Sequence, residues 1–379
     1  MPPRPIDRIS ALPAYRPGRS AAAAMADHGI ASAVKLASNE LALDPLPSVT
    51  KAIEAAIATA HLYPDPGAVE LRRALAESVG VASEQVTVGA GSVGLLQQLA
   101  LAYAGPGDEV VYGWPSFEAY PLLTALTGAT KVPVPLDGQT IDAATVAAAL
   151  GPQTRLVLVA NPNNPTGTAL TGDDLQVIAD ALPDGALLVV DEAYREFVTD
   201  PEVPDAVELF GHRDDVCVLR TFSKAHGLAA LRVGYLIGPP DVVATVDRTL
   251  VPFAVNALGQ AGAMASLTAF AEMTDRVAGV TAERQRVLDA LRADGWPVED
   301  SQANFTWLPV GDRSTALGLA LEQAGLVTRV FAGVGVRVTV GTPADNDRFL
   351  DVCRSLPART AAGLAADPAN EPTSQPGRG

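Results

Sequence analysis

Short, continuous apolar runs recur in the middle of the chain and constrain the fold more than any other feature. They lie at 156–160 (LVLVA), 187–190 (LLVV) and 216–219 (VCVL). Runs that are apolar on both faces predict strands covered on both sides, as in a parallel α/β sheet. Their spacing of about 30 residues fits one strand plus one crossover helix.

The flanking segments extend this α/β pattern and then depart from it. A short run at 86–88 precedes a glycine-rich turn and a predicted helix over 93–103, and a further strand is predicted at 109–112. After about residue 260, a helical stretch over 261–293 leads to two strand-like runs, ANFTWLPV and GVRVTVG. The sequence therefore predicts a large domain with a mostly parallel sheet, followed by a smaller α+β domain.

Composition excludes several functional classes. The 379 residues carry a formal net charge of −16, which argues against nucleic acid and anionic membrane surfaces as partners. The two cysteines, Cys217 and Cys353, lie in no C-x-x-C pair or Cys/His cluster, so we expect no disulfide framework and no metal site. The N-terminus lacks the apolar core of a signal peptide, and these features together predict a cytoplasmic protein.

Polar clusters follow the apolar runs, at the strand ends where open α/β sheets bind ligands. They are NPNNPTG at 161–167, DEAY at 191–194, RTFSK at 220–224 with Arg232 beyond it, and GAGSVG at 89–94. Each cluster alone is a weak signal. Their shared position after strands predicts that all four meet at one edge of one sheet.

The GAGSVG turn matches G-x-G-x-x-G, so a dinucleotide site has to be considered. That site needs an acid at the end of the next strand, whereas Asp108 and Glu109 lie before it. A phosphate held by the amides of Ser92 and Val93 at a helix N-terminus needs no such acid and is favoured. A tight turn without a ligand is the remaining alternative.

Lys224 follows a predicted buried strand and lies near Thr221, Ser223 and Arg232, whose side chains suit a phosphate. A lysine near fixed cations has a depressed pKa, and its free amine can form a Schiff base with a carbonyl. A buried carboxylate such as Asp191 needs a partner, and a protonated ring nitrogen is a suitable one. These requirements match pyridoxal phosphate.

These segments, with others along the chain, resemble the fold type I pyridoxal-phosphate aminotransferases. The resemblance covers about residues 10–355 and is closest to the branch of histidinol-phosphate and aromatic amino-acid aminotransferases, within it to the actinobacterial aromatic or phenylalanine group. Its carriers include KLASNE (35–40), YPDP (63–66), TFSKAHGLAALRVGY (221–235), SQANF (301–305) and GVRVTVGTP (335–343). The resemblance implies a homodimer and three segments: 1–38 joining the small domain, 39–260 binding the cofactor, and 261–356 as the small domain. Residues 357–379 contain Pro, Gly and small polar residues without an apolar period, which predicts a disordered tail.

The resemblance also implies roles for individual residues. Lys224 would carry the cofactor and shuttle the Cα proton, while Asp191 would pair with the pyridinium nitrogen. Asn164 and Tyr194 would hydrogen-bond the ring's phenolic oxygen, and Phe117 would stack on the ring. The phosphate would be bound by Thr221, Ser223, Arg232, the amides of Ser92 and Val93, and Tyr63 of the partner subunit. Arg337 would clamp the substrate carboxylate, with Arg329, Asn39 and Tyr15 completing the substrate pocket. His226 and Glu192 are expected to be structural.

Two departures from the histidinol-phosphate pattern bear on the choice of substrate. The segment ASNELA (37–42) departs from the common N-x-N-E-N-P, and VFAGVGV (330–336) offers no extra polar residues for a phosphate. We therefore expect a ping-pong amino transfer between an aromatic amino acid and 2-oxoglutarate. Histidinol phosphate is the alternative donor; a decarboxylase or lyase with the same cofactor, an NAD-dependent oxidoreductase and a non-catalytic regulator are weaker alternatives.

Overall fold

The computed structural model describes residues 3–10, 12 and 19–356. Numbered along the chain, the strands are β1 Val34–Lys35, β2 Val86–Ala90, β3 Glu109–Trp114, β4 Thr130–Pro135, β5 Thr154–Ala160, β6 Leu187–Asp191, β7 Val216–Thr221, β8 Val233–Ile237, β9 Phe305–Leu308, β10 Leu326–Val327, β11 Arg329–Phe331 and β12 Gly335–Thr339. The α-helices are α1 Asp7–Ser10, α2 Ala21–His28, α3 Pro47–Ile57, α4 Val69–Val79, α5 Gly91–Tyr103, α6 Ala119–Thr127, α7 Ala143–Ala148, α8 Gly172–Asp180, α9 Ala206–Phe210, α10 Pro240–Asp247, α11 Ala257–Thr268, α12 Phe270–Ala293, α13 Ser314–Gln323 and α14 Pro343–Ser355.

A seven-stranded sheet forms the centre of the molecule, in the order β2-β8-β7-β6-β5-β3-β4. Its neighbours pair in parallel except at β8, which is antiparallel to both β2 and β7. The predicted α/β class and mostly parallel sheet are confirmed. Because β2, β5, β6 and β7 run in one direction, their carboxyl ends lie at the same edge.

Both faces of this sheet are covered, as the apolar runs predicted. Along β5, Val157 and Val159 belong to one buried cluster, whereas Leu156 and Leu158 belong to a second cluster. Alternate residues of a strand point to opposite faces, so the two clusters lie on the two sides of the sheet. This leaves the strand ends as the place where polar side chains gather.

Two strands of the large sheet, the short strands β1, β10 and β11, and one helix boundary differ from the sequence prediction. The strands β4 and β8 were not predicted. The strand β4 lies at a sheet edge, where its prolines Pro133 and Pro135 are tolerated. The single helical stretch predicted over 261–293 is two helices, α11 and α12, which meet at Ala269.

A second sheet has the antiparallel order β11-β12-β9, and a separate short pair joins β1 to β10 in parallel. The buried core beside the three-stranded sheet includes Trp296, Leu308, Val338 and Phe349. The pairing of β1 with β10 holds the chain that follows, residues 36–40, beside this sheet and at the edge of the large one. The division at residues 38 and 260 stays a prediction, and the tail at 357–379 lies outside the described residues.

In the described part of the chain, no helix is long and apolar enough to cross a bilayer. Cys217 and Cys353 are both buried free thiols.

Candidate active site

A cavity of about 340 Å³ opens at the carboxyl edge of the large sheet. The four polar clusters predicted to meet there all contribute to its wall, together with residues from β11, β12 and the segment after β1. The predicted site residues that line it are Asn39, Ser92, Val93, Phe117, Asn164, Asp191, Tyr194, Thr221, Ser223, Lys224, Arg232, Arg329 and Arg337. Tyr63 does not line it, and Tyr15 lies outside the described residues.

One end of the cavity is suited to a phosphate. The helix α5 begins there at Gly91, so the amides of Ser92 and Val93 belong to its first turn, where backbone N–H groups lack intrahelical partners. Gly91 has φ +74°, and a Cβ on it would lie 2.4 Å from Nη2 of Arg232. The left-handed φ favours glycine at this position, and the Arg232 guanidinium packs against its backbone.

Arg232 is held in an unusual conformation at this same end. Its φ of +58° is left-handed, which is uncommon for a residue with a side chain and is found most often at functional positions. The guanidinium donates to the carbonyl of Ala229 at 2.9 Å and to Oγ of Ser223 at 3.4 Å. These contacts aim a fixed positive charge at the N-terminus of α5.

Lys224 lies between this end and the arginines of the second sheet. Burial, with a smaller contribution from the Arg337 guanidinium, lowers the pKa of the lysine to about 7. Its Nζ donates to the carbonyl of Ser38 at 2.8 Å and lies 5.8 Å from the centre of the Tyr194 ring. The lowered pKa favours the unprotonated amine, which is the form that attacks carbonyl groups.

Asp191 ends β6 and is buried in the cavity wall. Burial raises the pKa of its carboxyl to about 6, although Tyr120 opposes the shift by donating its hydroxyl to Oδ2 at 3.2 Å. The amide of Ala193 donates to Oδ1 at 3.2 Å. A carboxylate this poorly solvated gains from a nearby positive charge, such as a protonated ring nitrogen.

Asn39 fixes the phenol of Tyr194. Its Nδ2 donates to the Tyr194 hydroxyl at 2.8 Å, and its Oδ1 accepts from the hydroxyl of Thr339 at 3.1 Å. Burial raises the pKa of Tyr194, so the phenol is neutral. Since the tyrosine oxygen accepts from Asn39, its own proton is available to donate to another group.

Arg337 projects from β12 and is 6% exposed. Its guanidinium donates to Oδ1 of Asn164 and, at 2.6 Å, to the carbonyl of Ala37. It also lies 5.5 Å from the centre of the Phe305 ring. Because it lines the cavity, this guanidinium lies where an anionic ligand could be bound.

Arg329 lies directly opposite Arg337, since the two residues are cross-strand partners in β11 and β12. Its Nη2 and Nε donate to the two carboxylate oxygens of Glu118 at 2.6 and 3.0 Å. The two arginines therefore stand side by side in the cavity wall, and Arg329 forms an ion pair with Glu118.

The remaining predicted residues are placed as follows. Phe117 lines the cavity and contacts the Tyr120 ring edge-on, with centroids 5.6 Å apart. Tyr63 is 82% exposed and stacks on Phe253 at 4.5 Å, so it does not reach this cavity within its own subunit. His226 is buried against Ser266, and burial lowers its pKa to about 4.

The carboxylate of Glu192 lies in an internal ion pair with Arg220, at 2.7 Å. Among the described residues, no group of three or more side chains could hold a metal ion.

Sequence reasoning missed two side chains at the site, Tyr120 and Glu118. Both follow the strand β3 in the segment that contains Phe117, and Tyr120 lies three residues, about one helical turn, after it. The one sequence feature that could have indicated these two residues is their position shortly after the end of a predicted strand. A tyrosine and a glutamate at the start of an otherwise apolar helix gave no chemical pattern that would single them out.

Comparison with known proteins identifies the family. The profile of the family Aminotransferase class I and II matches residues 31–352. An aromatic amino acid aminotransferase of Thermobifida fusca (strain YX) is 54% identical over 358 residues, which cover 94% of this chain and 98% of that protein. The chain belongs to the class I and II aminotransferases. It is a pyridoxal-phosphate-dependent transaminase of fold type I, as the resemblance implied.

A further relative and two solved structures are also aminotransferases. An aromatic amino acid aminotransferase of Streptomyces coelicolor is 50% identical, covering 91% of this chain and 95% of that protein. The crystal structure of histidinol-phosphate aminotransferase from Sinorhizobium meliloti with pyridoxal-5'-phosphate has a TM-score of 0.85 at 28% identity, covering 93% and 98% of the two chains. Thermus thermophilus aspartate aminotransferase, with a TM-score of 0.79 at 23% identity, shares the fold.

The cavity fits the cofactor of this family. The glycine turn with Arg232, Thr221 and Ser223 offers donors for a phosphate, and Lys224 offers an amine for an aldehyde. Asp191, poorly solvated, offers a carboxylate for a pyridinium nitrogen. All of these groups line one cavity, which is the arrangement that pyridoxal phosphate requires.

Proposed function

We propose that this transaminase moves an amino group from an aromatic amino acid, phenylalanine or tyrosine, to 2-oxoglutarate in a ping-pong reaction. The observation that carries the proposal is the placement of the Lys224 amine in one cavity with the phosphate-binding end and Arg337. That placement suits a substrate that is an α-amino acid. The aromatic preference is supported by the 54% identity to a relative of that name.

We assign the following roles to the residues of the site. When bound, pyridoxal phosphate supplies a ring that withdraws electrons from the substrate Cα. Lys224 would accept the Cα proton with Nζ and deliver it to C4′, the aldehyde carbon of the cofactor, because its lowered pKa favours the unprotonated amine that acts as a base. Asp191 holds a proton on the ring nitrogen through its carboxylate.

The remaining groups orient the reactants. Tyr194 and Asn164 are proposed to hydrogen-bond the ring's phenolic oxygen, and Phe117 to cover one face of the ring. Ser92, Val93, Thr221, Ser223 and Arg232 are proposed to anchor the phosphate. Arg337 binds the α-carboxylate of the amino acid, as a planar guanidinium can with two parallel hydrogen bonds. Arg329, Asn39 and Tyr15 are proposed to complete the substrate pocket.

We also propose a homodimer in which Tyr63 of the partner subunit reaches the phosphate. The support is the exposure of Tyr63 and its stack with Phe253, an aromatic surface open to a second copy. Mixing inactive Lys224→Ala subunits with Tyr63→Ala subunits should give activity above that of either parent, because each mixed dimer contains one complete site. Activity no higher than the parents would contradict the shared site.

A donor panel tests the proposed substrate. Phenylalanine, tyrosine and histidinol phosphate are compared by kcat/KM at saturating 2-oxoglutarate, with the colour change of the cofactor as a check on each half-reaction. We expect phenylalanine or tyrosine to give the highest value. A higher value for histidinol phosphate would support the second candidate, which the likeness to the Sinorhizobium meliloti structure favours.

A reducing, cytoplasmic setting is also proposed, since both cysteines are buried thiols. Recovery of the activity mainly outside the cytosolic fraction of the cell would contradict it.

A further inference from the structure

The hydroxyl of Thr339 joins the second sheet to the segment that lines the cavity. Thr339 is the last residue of β12 and is buried. Its Oγ1 accepts from the backbone amide of Asn39 at 3.0 Å and donates to Oδ1 of the same asparagine at 3.1 Å. A hydroxyl has a single proton to donate. Because that proton is directed at Oδ1, the side-chain amide of Asn39 turns its Nδ2 donor away from Thr339.

The other end of this side-chain amide contacts Tyr194. Nδ2 of Asn39 donates to the Tyr194 hydroxyl at 2.8 Å. In the reversed orientation, Oδ1 would face the phenol and accept its proton, and the phenol would have no proton left for a ligand. Thr339 therefore decides which member of the pair donates, and the phenol keeps its proton for the cavity.

The backbone of Asn39 is held by the same part of the fold. Its φ of +54° is left-handed, a conformation that asparagine adopts more readily than most residues. Nδ2 of Asn304, the residue before β9, donates to the carbonyl of Asn39 at 3.1 Å. The amide of Thr339 donates to the carbonyl of Leu36 at 3.0 Å. The three-stranded sheet thus holds the asparagine that contacts Tyr194, although Tyr194 itself follows a strand of the large sheet.

The strands β9 and β12 also hold the Tyr194 ring. Phe305, the cross-strand partner of Thr339, contacts this ring edge-on, with centroids 5.2 Å apart. Arg337 lies two residues before Thr339 on β12, so the two side chains leave the strand on the same face. One strand pair therefore fixes both the ring and the hydroxyl of Tyr194, beside the residue proposed to bind the substrate carboxylate.

We propose that Thr339 is a positioning residue for the transamination, which sets, through Asn39, the direction in which the Tyr194 phenol donates its hydrogen bond. This inference rests on the proposed function, in which Tyr194 donates to the phenolic oxygen of the cofactor ring. Thr339 does not line the cavity, so it acts without touching the substrate or the cofactor.

The variant Thr339→Val tests the proposal, because it keeps the branched shape of the side chain and removes the hydroxyl. The absorbance of the holoenzyme is followed against pH without substrate, and its midpoint reports the protonation of the link between the cofactor and Lys224. A donor to the ring's phenolic oxygen stabilises the deprotonated, more negative form. Loss of the aimed donor should therefore raise this midpoint by about 0.5–1 pH unit. We expect kcat to fall about 2- to 10-fold, with a smaller change in KM.

Two further variants serve as controls. Thr306→Val is the same substitution at a buried threonine of the neighbouring strand β9, whose Oγ1 has no hydrogen-bond partner in the described part of the chain. It should keep the wild-type midpoint. Thr339→Ser retains the hydroxyl and should return the midpoint close to wild type. Asp191 and Arg337 also face the Tyr194 phenol, and both are unaltered in every one of these variants.

A double variant separates positioning through Tyr194 from a purely structural role. Tyr194→Phe should raise the midpoint by itself, and adding Thr339→Val to it should shift the midpoint no further. Should Thr339→Val fail to hold the cofactor, Thr339→Cys takes its place. Its thiol makes weaker hydrogen bonds, so it should give a smaller shift in the same direction.

The outcomes separate this inference from the proposed function. A wild-type midpoint in Thr339→Val, an equal shift in Thr306→Val, or a full further shift on the Tyr194→Phe background overturns the role of Thr339 while the proposed function stands. If Tyr194→Phe leaves the midpoint unchanged, the assigned role of Tyr194 fails and this inference fails with it. The choice of amino donor is decided separately by the donor panel, since the midpoint is measured without substrate.

Discussion

Replacing Gly91 by alanine should weaken cofactor binding through its effect on Arg232. At φ +74°, a residue with a Cβ costs about 1–2 kcal/mol in backbone strain. The new Cβ would lie 2.4 Å from Nη2 of Arg232, so the guanidinium has to move. The arginine side chain is flexible and can swing away at little cost in folding stability, but it then leaves the phosphate end of the cavity.

The expected loss of cofactor affinity in Gly91→Ala follows from the contact between the Arg232 guanidinium and the phosphate. A hydrogen bond to a charged group contributes about 1.5–3 kcal/mol, which corresponds to a roughly 10- to 150-fold weaker affinity for pyridoxal phosphate. The matched control is Gly94→Ala, three residues later in α5, where the nearest atom to the new Cβ is that of Ala90, at an ordinary 3.5 Å. This control should bind the cofactor with an affinity within about twofold of wild type.

The assay is titration of the cofactor-free protein with pyridoxal phosphate, followed by absorbance, with thermal unfolding of both variants as a measure of stability. If Gly91→Ala and Gly94→Ala bind the cofactor equally well, the proposed coupling of the turn to Arg232 is wrong. If Gly91→Ala unfolds at the assay temperature, Arg232→Lys tests the same contact without altering the turn.

Three further perturbations address other parts of the site. Burial raises the pKa of Asp191 to about 6 and Tyr120 opposes this, so Asp191 is increasingly protonated as pH falls through 6. The affinity for the cofactor should fall over the same pH range. Tyr120→Phe should move the midpoint of this fall in affinity to higher pH, because it removes the hydrogen bond that lowers the pKa of Asp191. A midpoint that does not move, in cofactor titrations carried out at a series of pH values, would contradict this. Arg337→Lys should lower kcat/KM for the amino donor about 10- to 100-fold through loss of bidentate binding, while cofactor affinity stays near wild type; equal losses of both would argue against its assigned role. Arg220→Met leaves the buried carboxylate of Glu192 without its partner, so it should cost about 3–5 kcal/mol by chemical denaturation, part of which Glu192→Gln should restore; an unchanged unfolding midpoint would refute it.

The sequence predicted the centre of the fold because the buried strands have a strong signature. The runs LVLVA, LLVV and VCVL are apolar on both faces, and only strands covered on both sides bury such runs fully. The strand β4 escaped prediction because Pro133 and Pro135 interrupt its pattern, which only an edge position tolerates. The break at Ala269 has no proline or glycine to mark it.

The strand β8 could not be predicted from the sequence for a different reason. The segment 233–237 follows Arg232 within a motif that was interpreted for its chemistry, and its antiparallel insertion between β2 and β7 depends on long-range pairing. Local sequence patterns do not encode such pairing. The left-handed conformation of Arg232, which lets β8 begin next to the cavity, likewise has no signal in the sequence.

The site was predicted where chemistry is concentrated in short motifs, and missed where it depends on tertiary contact. The convergence of the four strand-end clusters follows from sheet geometry, so Lys224, Asp191 and Arg232 could be placed together. The contacts of Tyr120 with Asp191 and of Glu118 with Arg329 join residues 71 and 211 positions apart. Separations of that size leave no local pattern to interpret.

Reductive trapping shows directly whether Lys224 carries the cofactor. The holoenzyme is reduced with borohydride and digested, and the peptides are mapped by mass spectrometry. We expect a pyridoxal-phosphate label on Lys224 and on no other lysine. A label on a different residue, or a fully reduced enzyme that carries no label, would contradict it.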